Sequence, residues 1–345
     1  MKKIVLCLLL CAFCLGGAFA ATDELSAAMP LLQTPLRTSA QTQQVLQLFL
    51  ETQETNLIFS TGASLVRVAP PRTQENNLLT VFLKNSHPLK QVFAAVILTA
   101  MGTEHPEFSD LLQEATASAD SAVRAYAASA YTILNPQITQ YSSEIIHLYI
   151  YDPAFAQRAM NLISSDDKQT LRYLKTAAQS DQAQIRAAAA AWLGDMQTPA
   201  ASKQLLKMAK TETETETSAA IAQALAKNQT ETLSKTVKGL KTAYTTQPAA
   251  TYALALGFMT GNAIEPIRQA LTDKNINTRI NAARAATYMA GVLNSEQAML
   301  YSNDPVFDIR LLKSLIPLLS ALALSQNEQE KLFAQNALTQ IAKLK

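Results

Sequence analysis

The side chains that could do chemistry in this chain are few and scattered. There are three histidines, His87, His105 and His147. His87 and His105 precede Pro88 and Pro106, at what read as the two helix starts of one unit, so their imidazoles could lie near each other. A metal site or an acid–base pair would need further ligands at helical spacing, as in His-Glu-x-x-His, and none accompanies them. Turn or capping positions are therefore the expected role. His147 falls in the apolar run Ile145 to Ile150 and reads as a packed or partly exposed helix residue. No serine occupies a Gly-x-Ser-x-Gly elbow, since Gly62-Ala63-Ser64 keeps too little of it. The chain's 9 glycines form no phosphate-cradling loop. Carboxylate pairs such as Asp166-Asp167 or Glu104/Glu107 are ordinary surface features unless a cleft brings them together. No motif supports catalysis, and neither a cofactor nor a metal is expected.

Four arginines stand out by their spacing instead. Arg124, Arg186, Arg279 and Arg310 are 62, 93 and 31 residues apart in succession, all multiples of 31. Aspartates precede them at Asp120, Asp181, Asp273 and Asp304, and alanine pairs follow the first three at 127–128, 189–190 and 282–283. A fixed period of this size marks stacked helical repeats. Each position has a physical role. Asp is suited to cap the first turn of a helix. Alanines line a face that a neighbouring helix can approach closely. Gly194 and Gly257 suit the left-handed residue that ends a helix. The arginine, one turn in, is placed to bridge to the preceding aspartate or to carbonyls of the adjoining repeat. On that reading Arg186→Ala costs about 1–3 kcal/mol, the worth of a charged hydrogen bond. A ligand-facing arginine ladder is the alternative.

Prolines mark the same units. Pro88/Pro106, Pro136/Pro153 and Pro248/Pro266 are 18, 17 and 18 residues apart, the distance between starts of consecutive short helices. Pro317, inside the apolar stretch 306–324, should kink or split a helix. Scarce glycine and abundant alanine complete a helical composition.

The Asp-x3–5-Arg-x2-Ala-Ala runs at 120–128, 181–190 and 273–283 resemble the short HEAT-like repeats of phycobilisome lyases and of many exported bacterial proteins. The resemblance covers about three-quarters of the chain, weakening near residues 153 and 248 where the arginine is lost. It implies an all-α fold, an α-solenoid of antiparallel helix pairs that presents surfaces to partners. It implies no chemistry.

The expected organisation has three parts. Residues 1–20 read as a secretory signal: Lys2 and Lys3, an apolar stretch from Ile4 to Leu15, and Ala18-Phe19-Ala20 as cleavage site. Cys7, Cys11 and Cys14 all lie within it, and Leu-small-small does not precede them as lipoprotein processing prefers. Residues 21–84 read as an irregular, partly helical N-terminal cap. It holds one helical stretch, Gln41 to Phe59, a loop at Ser60-Thr61-Gly62, and a short strand or extended arm at 63–68. Residues 85–345 read as the solenoid, roughly eight helix pairs. Within it Thr211 to Thr217 is expected to be a solvated acidic turn. In a eukaryotic secreted chain Asn228-Gln229-Thr230 would be a glycosylation acceptor.

Without Lys2 and Lys3 the charge falls from +2 to near zero, which argues against nucleic acid or an anionic lipid surface as partner. No later segment is apolar enough to span a membrane. Five tyrosines, Tyr126, Tyr131, Tyr141, Tyr149 and Tyr151, fall within 26 residues. They read first as rings filling the core between helices, and second as a partner-binding surface. The expectation is an exported, periplasmic, non-catalytic scaffold that binds a protein partner. An accessory subunit, or a lyase-like binder of a small hydrophobic ligand, is the alternative, with a hydrolase or metalloenzyme least supported.

Overall fold

A computed structural model describes residue 32 and residues 38–85, 87–164 and 166–344. The signal reading of residues 1–20, with its cysteines, lies outside the described residues. Among those described, every regular element is helical, which establishes the all-α fold. The chain divides into two compact units at Tyr173/Leu174.

In the first unit the helices are α1 (Ser39–Glu51), α2 (Thr55–Val68), α3 (Glu75–Lys84), α4 (Pro88–Ala100), α5 (Phe108–Ala115), α6 (Ser121–Leu134), α7 (Ser142–Leu148) and α8 (Pro153–Ile163). α9 (Asp167–Ala177) straddles the division. The even-numbered helices α2, α4, α6 and α8 pack in succession as one layer, with α3, α5 and α7 alongside. Rings run through that layer. Phe59 meets Phe93 at 5.4 Å, Phe93 meets Tyr126 at 5.5 Å, and Tyr126 meets Phe155 at 6.4 Å between centroids. Each such pair adds about 0.5–1.5 kcal/mol beyond area burial.

The N-terminal region differs from expectation at two points. The stretch 41–59 is two helices, parted at Thr52-Gln53-Glu54. Residues 63–68 form no strand but the last turns of α2, because the Glu54 carboxylate caps that helix on the amides of Asn56 and Leu57. The apolar residues Ala63, Leu65 and Val66 are then buried against neighbours. The break before α2 is closed by Lys90, whose side chain is 0% exposed. Its Nζ donates to the carbonyls of Leu50 (2.9 Å) and Thr52 (2.6 Å) at the end of α1, and burial pushes its pKa down. Lys90→Met removes these donors and strands two helix-end carbonyls. It should cost about 2 kcal/mol in a urea titration, whereas exposed Lys84→Met should cost almost nothing.

In the second unit the helices are α10 (Ala183–Met196), α11 (Pro199–Thr211), α12 (Thr215–Lys227), α13 (Gln229–Gly239), α14 (Gln247–Phe258), α15 (Ile264–Leu271), α16 (Ile276–Leu293), α17 (Ala298–Tyr301), α18 (Pro305–Lys313), α19 (Ile316–Leu322) and α20 (Glu328–Ile341). Here α10, α12, α14 and α16 pack in succession, and α20 takes the next place against α16. α11, α13, α15 and α19 form the second layer. Prolines open α4, α8, α11, α14 and α18, where their missing N–H costs nothing. Pro317 does split its apolar stretch, into α18 and α19.

The two glycines expected at helix ends are instead inside helices. A Cβ on Gly194 would sit 2.9 Å from the Ala224 backbone in α12, and one on Gly257 would sit 2.8 Å from Tyr288 Cβ in α16. They let successive helices touch backbone to backbone. The left-handed end of α10 falls on Gln197 (φ 48°). Asn228, the glycosylation acceptor in the alternative reading, is buried between helices: its Nδ2 donates to the carbonyls of Gly194 (2.8 Å) and Ala224 (3.0 Å).

Candidate binding groove

The repeat arginines are held by the fold itself. Arg124 Nη1 donates to the carbonyls of Ser118 (2.7 Å) and Ala119 (3.0 Å). Arg186 Nη1 repeats this with Ser180 (2.9 Å) and Asp181 (3.1 Å), and Arg279 Nη1 with Asp273 (2.8 Å) and Lys274 (3.1 Å). The acceptors lie in the turn that opens each arginine's own helix, rather than in the adjoining repeat. Arg310 departs from the pattern, its guanidinium lying 5.8 Å from the centre of the Phe307 ring.

Two of the arginines also reach a carboxylate further along the chain. Arg186 Nε and Nη2 form a fork on Glu212, each at 2.9 Å, and Arg279 Nε pairs with Glu330. Glu212 belongs to the segment expected to be solvated, yet it is 6% exposed. Burial works to raise its pKa. Hydrogen bonds from Arg186 and from the amides of Glu214 and Thr213 outweigh this and hold the carboxyl below its ordinary range. The bond to Glu212 in turn raises the Arg186 pKa.

The aspartates divide by role. Asp120 caps α6 through the amides of Ala122 and Val123, and Asp304 caps α18 through Phe307. Asp181 and Asp273 lie before the cap positions, which fall on Gln182 and Asn275. They serve the arginine through their carbonyls, because one or two extra residues separate them from the first turn.

Of the five tyrosines, Tyr126, Tyr131 and Tyr149 are buried, with Tyr126 at 0% exposure. Side chains so placed present no surface to a partner, which corrects the binding-surface reading for these three. Tyr141 and Tyr151 keep partial exposure: Tyr141 meets Tyr131 edge-on at 5.7 Å, and Tyr151 meets His147 at 5.4 Å. His105 packs edge-on against Phe82 at 5.5 Å, while His87 is the N-cap residue of α4 without making a side-chain cap bond. Among the described residues no group of three or more His, Cys, Asp or Glu could hold a metal ion.

A shallow, open groove lies elsewhere, in the second unit. Its volume is about 390 Å³. The turn between α13 and α14 supplies Tyr244, α14 supplies Gln247, α16 supplies Arg284 and Tyr288, and α20 supplies Gln329 and Phe333. Arg284/Tyr288 and Gln329/Phe333 are each four residues apart and so share a helix face. The turn is fixed from below by buried Asn281, whose Nδ2 donates to the carbonyls of Leu240 and Thr242, each at 2.9 Å. The Arg284 guanidinium lies 4.7 Å from the Phe333 ring centre, and Tyr244 meets the same ring edge-on at 6.2 Å. Burial lowers the Arg284 pKa, with Tyr288 opposing. Among the described residues the Arg284 guanidinium makes no hydrogen bond and no ion pair, nor do the side-chain amides of Gln247 and Gln329. By contrast, a second cavity of about 350 Å³ at Arg186 contains its own counter-ion, Glu212.

Sequence reading passed over Arg284, though a signal existed. In the repeat 93 residues earlier the matching position is Ala191, so an arginine replaces a small residue of the alanine face.

Layered helix pairs with a recurring capped helix and a turn-binding arginine define an α-helical repeat protein. Residues 151–226 match the family model for HEAT repeats. No curated protein matches it. Among solved structures it is similar to an engineered protein at 17% identity, covering 87% of this chain and 96% of that one, with a TM-score of 0.21. Among the described residues no helix is long and apolar enough to cross a membrane.

Proposed function

We propose that the protein is an exported, periplasmic, non-catalytic scaffold that binds a protein partner through the surface of its repeats. One observation carries this reading: the half-buried Arg284 opens, without an anionic partner, onto a groove walled by Tyr244, Tyr288 and Phe333. Tyrosine and arginine dominate the energetics of protein interfaces because they combine large area with polar handles. A HEAT-like fold fits such a role, as do the Lys2-Lys3 start and Ala18-Phe19-Ala20 that support export. The test is in-cell cross-linking of the tagged full chain, followed by capture from the envelope and from the cytosol. A defined partner enriched in the envelope fraction is the expected result. Recovery of no protein above background would overturn the scaffold reading in favour of a small hydrophobic ligand.

A further inference from the structure

We propose that the Arg284 groove recognises an acidic side chain, Asp or Glu, on an extended segment of the partner protein; this rests on the scaffold reading above. The charge of the groove decides the first half. Arg284 is its one cation, and burial has already removed part of that cation's water. The Phe333 ring centre lies 4.7 Å from the guanidinium, but a ring supplies no oxygen acceptor for the N–H donors that lie along the guanidinium's edge. A carboxylate meets that edge as a two-pronged acceptor, the arrangement that Glu212 supplies internally to Arg186 at 2.9 Å. A phosphate backbone would need several cations along its path, and the groove has only this one.

The remaining walls decide the second half. Gln247 and Gln329 each offer one acceptor and two donors that nothing among the described residues uses. An extended peptide presents alternating N–H and C=O groups that match such amides. The rings of Tyr244, Tyr288 and Phe333 would receive an apolar neighbour of the acidic residue.

The experiment uses the full chain and an array of short N-acetylated, C-amidated peptides. Each carries a central Asp or Glu flanked by Leu, Phe or Tyr, and each has a twin with Asn or Gln at the centre. Acidic peptides should be retained about tenfold or more tightly than their amide twins. Arg284→Gln should abolish this preference with an unchanged circular-dichroism melt, and Arg284→Lys should keep it in weakened form. Equal retention of the twins would overturn the proposal. So would retention of no peptide, or a preference that survives in Arg284→Gln. The two readings fail separately: a partner cross-linked equally to wild type and Arg284→Gln leaves the scaffold standing and removes the groove, whereas no partner for the wild type removes the scaffold.

Discussion

Arg186→Ala is expected to destabilise the second unit by about 3 kcal/mol, at the upper end of what a lost charged hydrogen bond would cost. The difference lies in what remains behind. Glu212, 5% exposed in its side chain, would keep its negative charge with only the amides of Thr213 and Glu214 to solvate it. An unpaired buried carboxylate is costlier than an absent bond. The measurement is the urea midpoint at neutral pH with the slope unchanged. Glu212→Gln should cost less, because its amide oxygen still accepts from the two backbone amides and no charge is stranded in the cavity. Combining Arg186→Met with Glu212→Gln should cost clearly less than the two single changes added together, the sign of direct coupling. A loss of only a few tenths for Arg186→Ala, like that of Lys227→Ala at the exposed pair with Asp195, would show that the fork contributes little.

The second large effect is acid sensitivity of the first unit. His147 is 3% exposed, and its pKa is lowered to about 4, first by burial and then by Arg124, with Asp120 opposing. Its Nε2 has no hydrogen-bond partner. Arg186 finds Glu212 at 26 residues' distance, whereas the residue 26 after Arg124 is Ile150, and the carboxylate that opposes Arg124 at His147 is Asp120. The folded pKa lies below the unfolded value, near 6.5, so between the two the unfolded chain binds the extra proton. Stability is therefore full above pH 6.5 and falls as the pH drops towards 4. The expected loss is about 2 kcal/mol by pH 5 and about 3 kcal/mol once both states are protonated. Buried Asp152 contributes with the opposite sign, since burial raises its pKa and the folded state then protonates first. The interval from pH 6.5 to 5 is therefore read by comparison with His147→Phe, which removes the histidine's share alone. Denaturation midpoints across that interval should slope for the wild type and flatten for His147→Phe, which keeps the ring beside Tyr151. An unchanged slope in His147→Phe would assign the effect to another group.

Much of the fold was legible because its signals are local. An aspartate before a helix, a proline at its first turn and alanines at helical spacing each act within one turn of chain. Pro317 splitting α18 from α19 was readable for the same reason. The misread features all depend on the neighbouring helix. A glycine near the end of a helical run looks the same whether it caps the helix or admits another backbone, and only the approach of α12 to Gly194 decides. Residues 63–68 alternate like a strand, but a cap at Glu54 and a buried face keep them in α2. The arginine–carboxylate pairs were invisible because the separation changes: 26 residues for Arg186, and 51 for Arg279, where α17 to α19 intervene before α20 takes the next place in the layer. That substitution also builds the groove, by bringing Phe333 over Arg284 across 49 residues of chain.

Contact of helices through bare backbone at Gly194 and Gly257 has a mechanical consequence. A side chain between two helices acts as a spacer that can change rotamer and let them breathe. Where no side chain stands between them, their separation is set by hard atomic radii. Under hydrostatic pressure the alanine- and glycine-lined layer of the second unit should thus yield less than the ring-lined layer of the first. The second unit is built to hold its pitch, as a ruler does, and the distance from Tyr244 to Phe333 is one of its divisions.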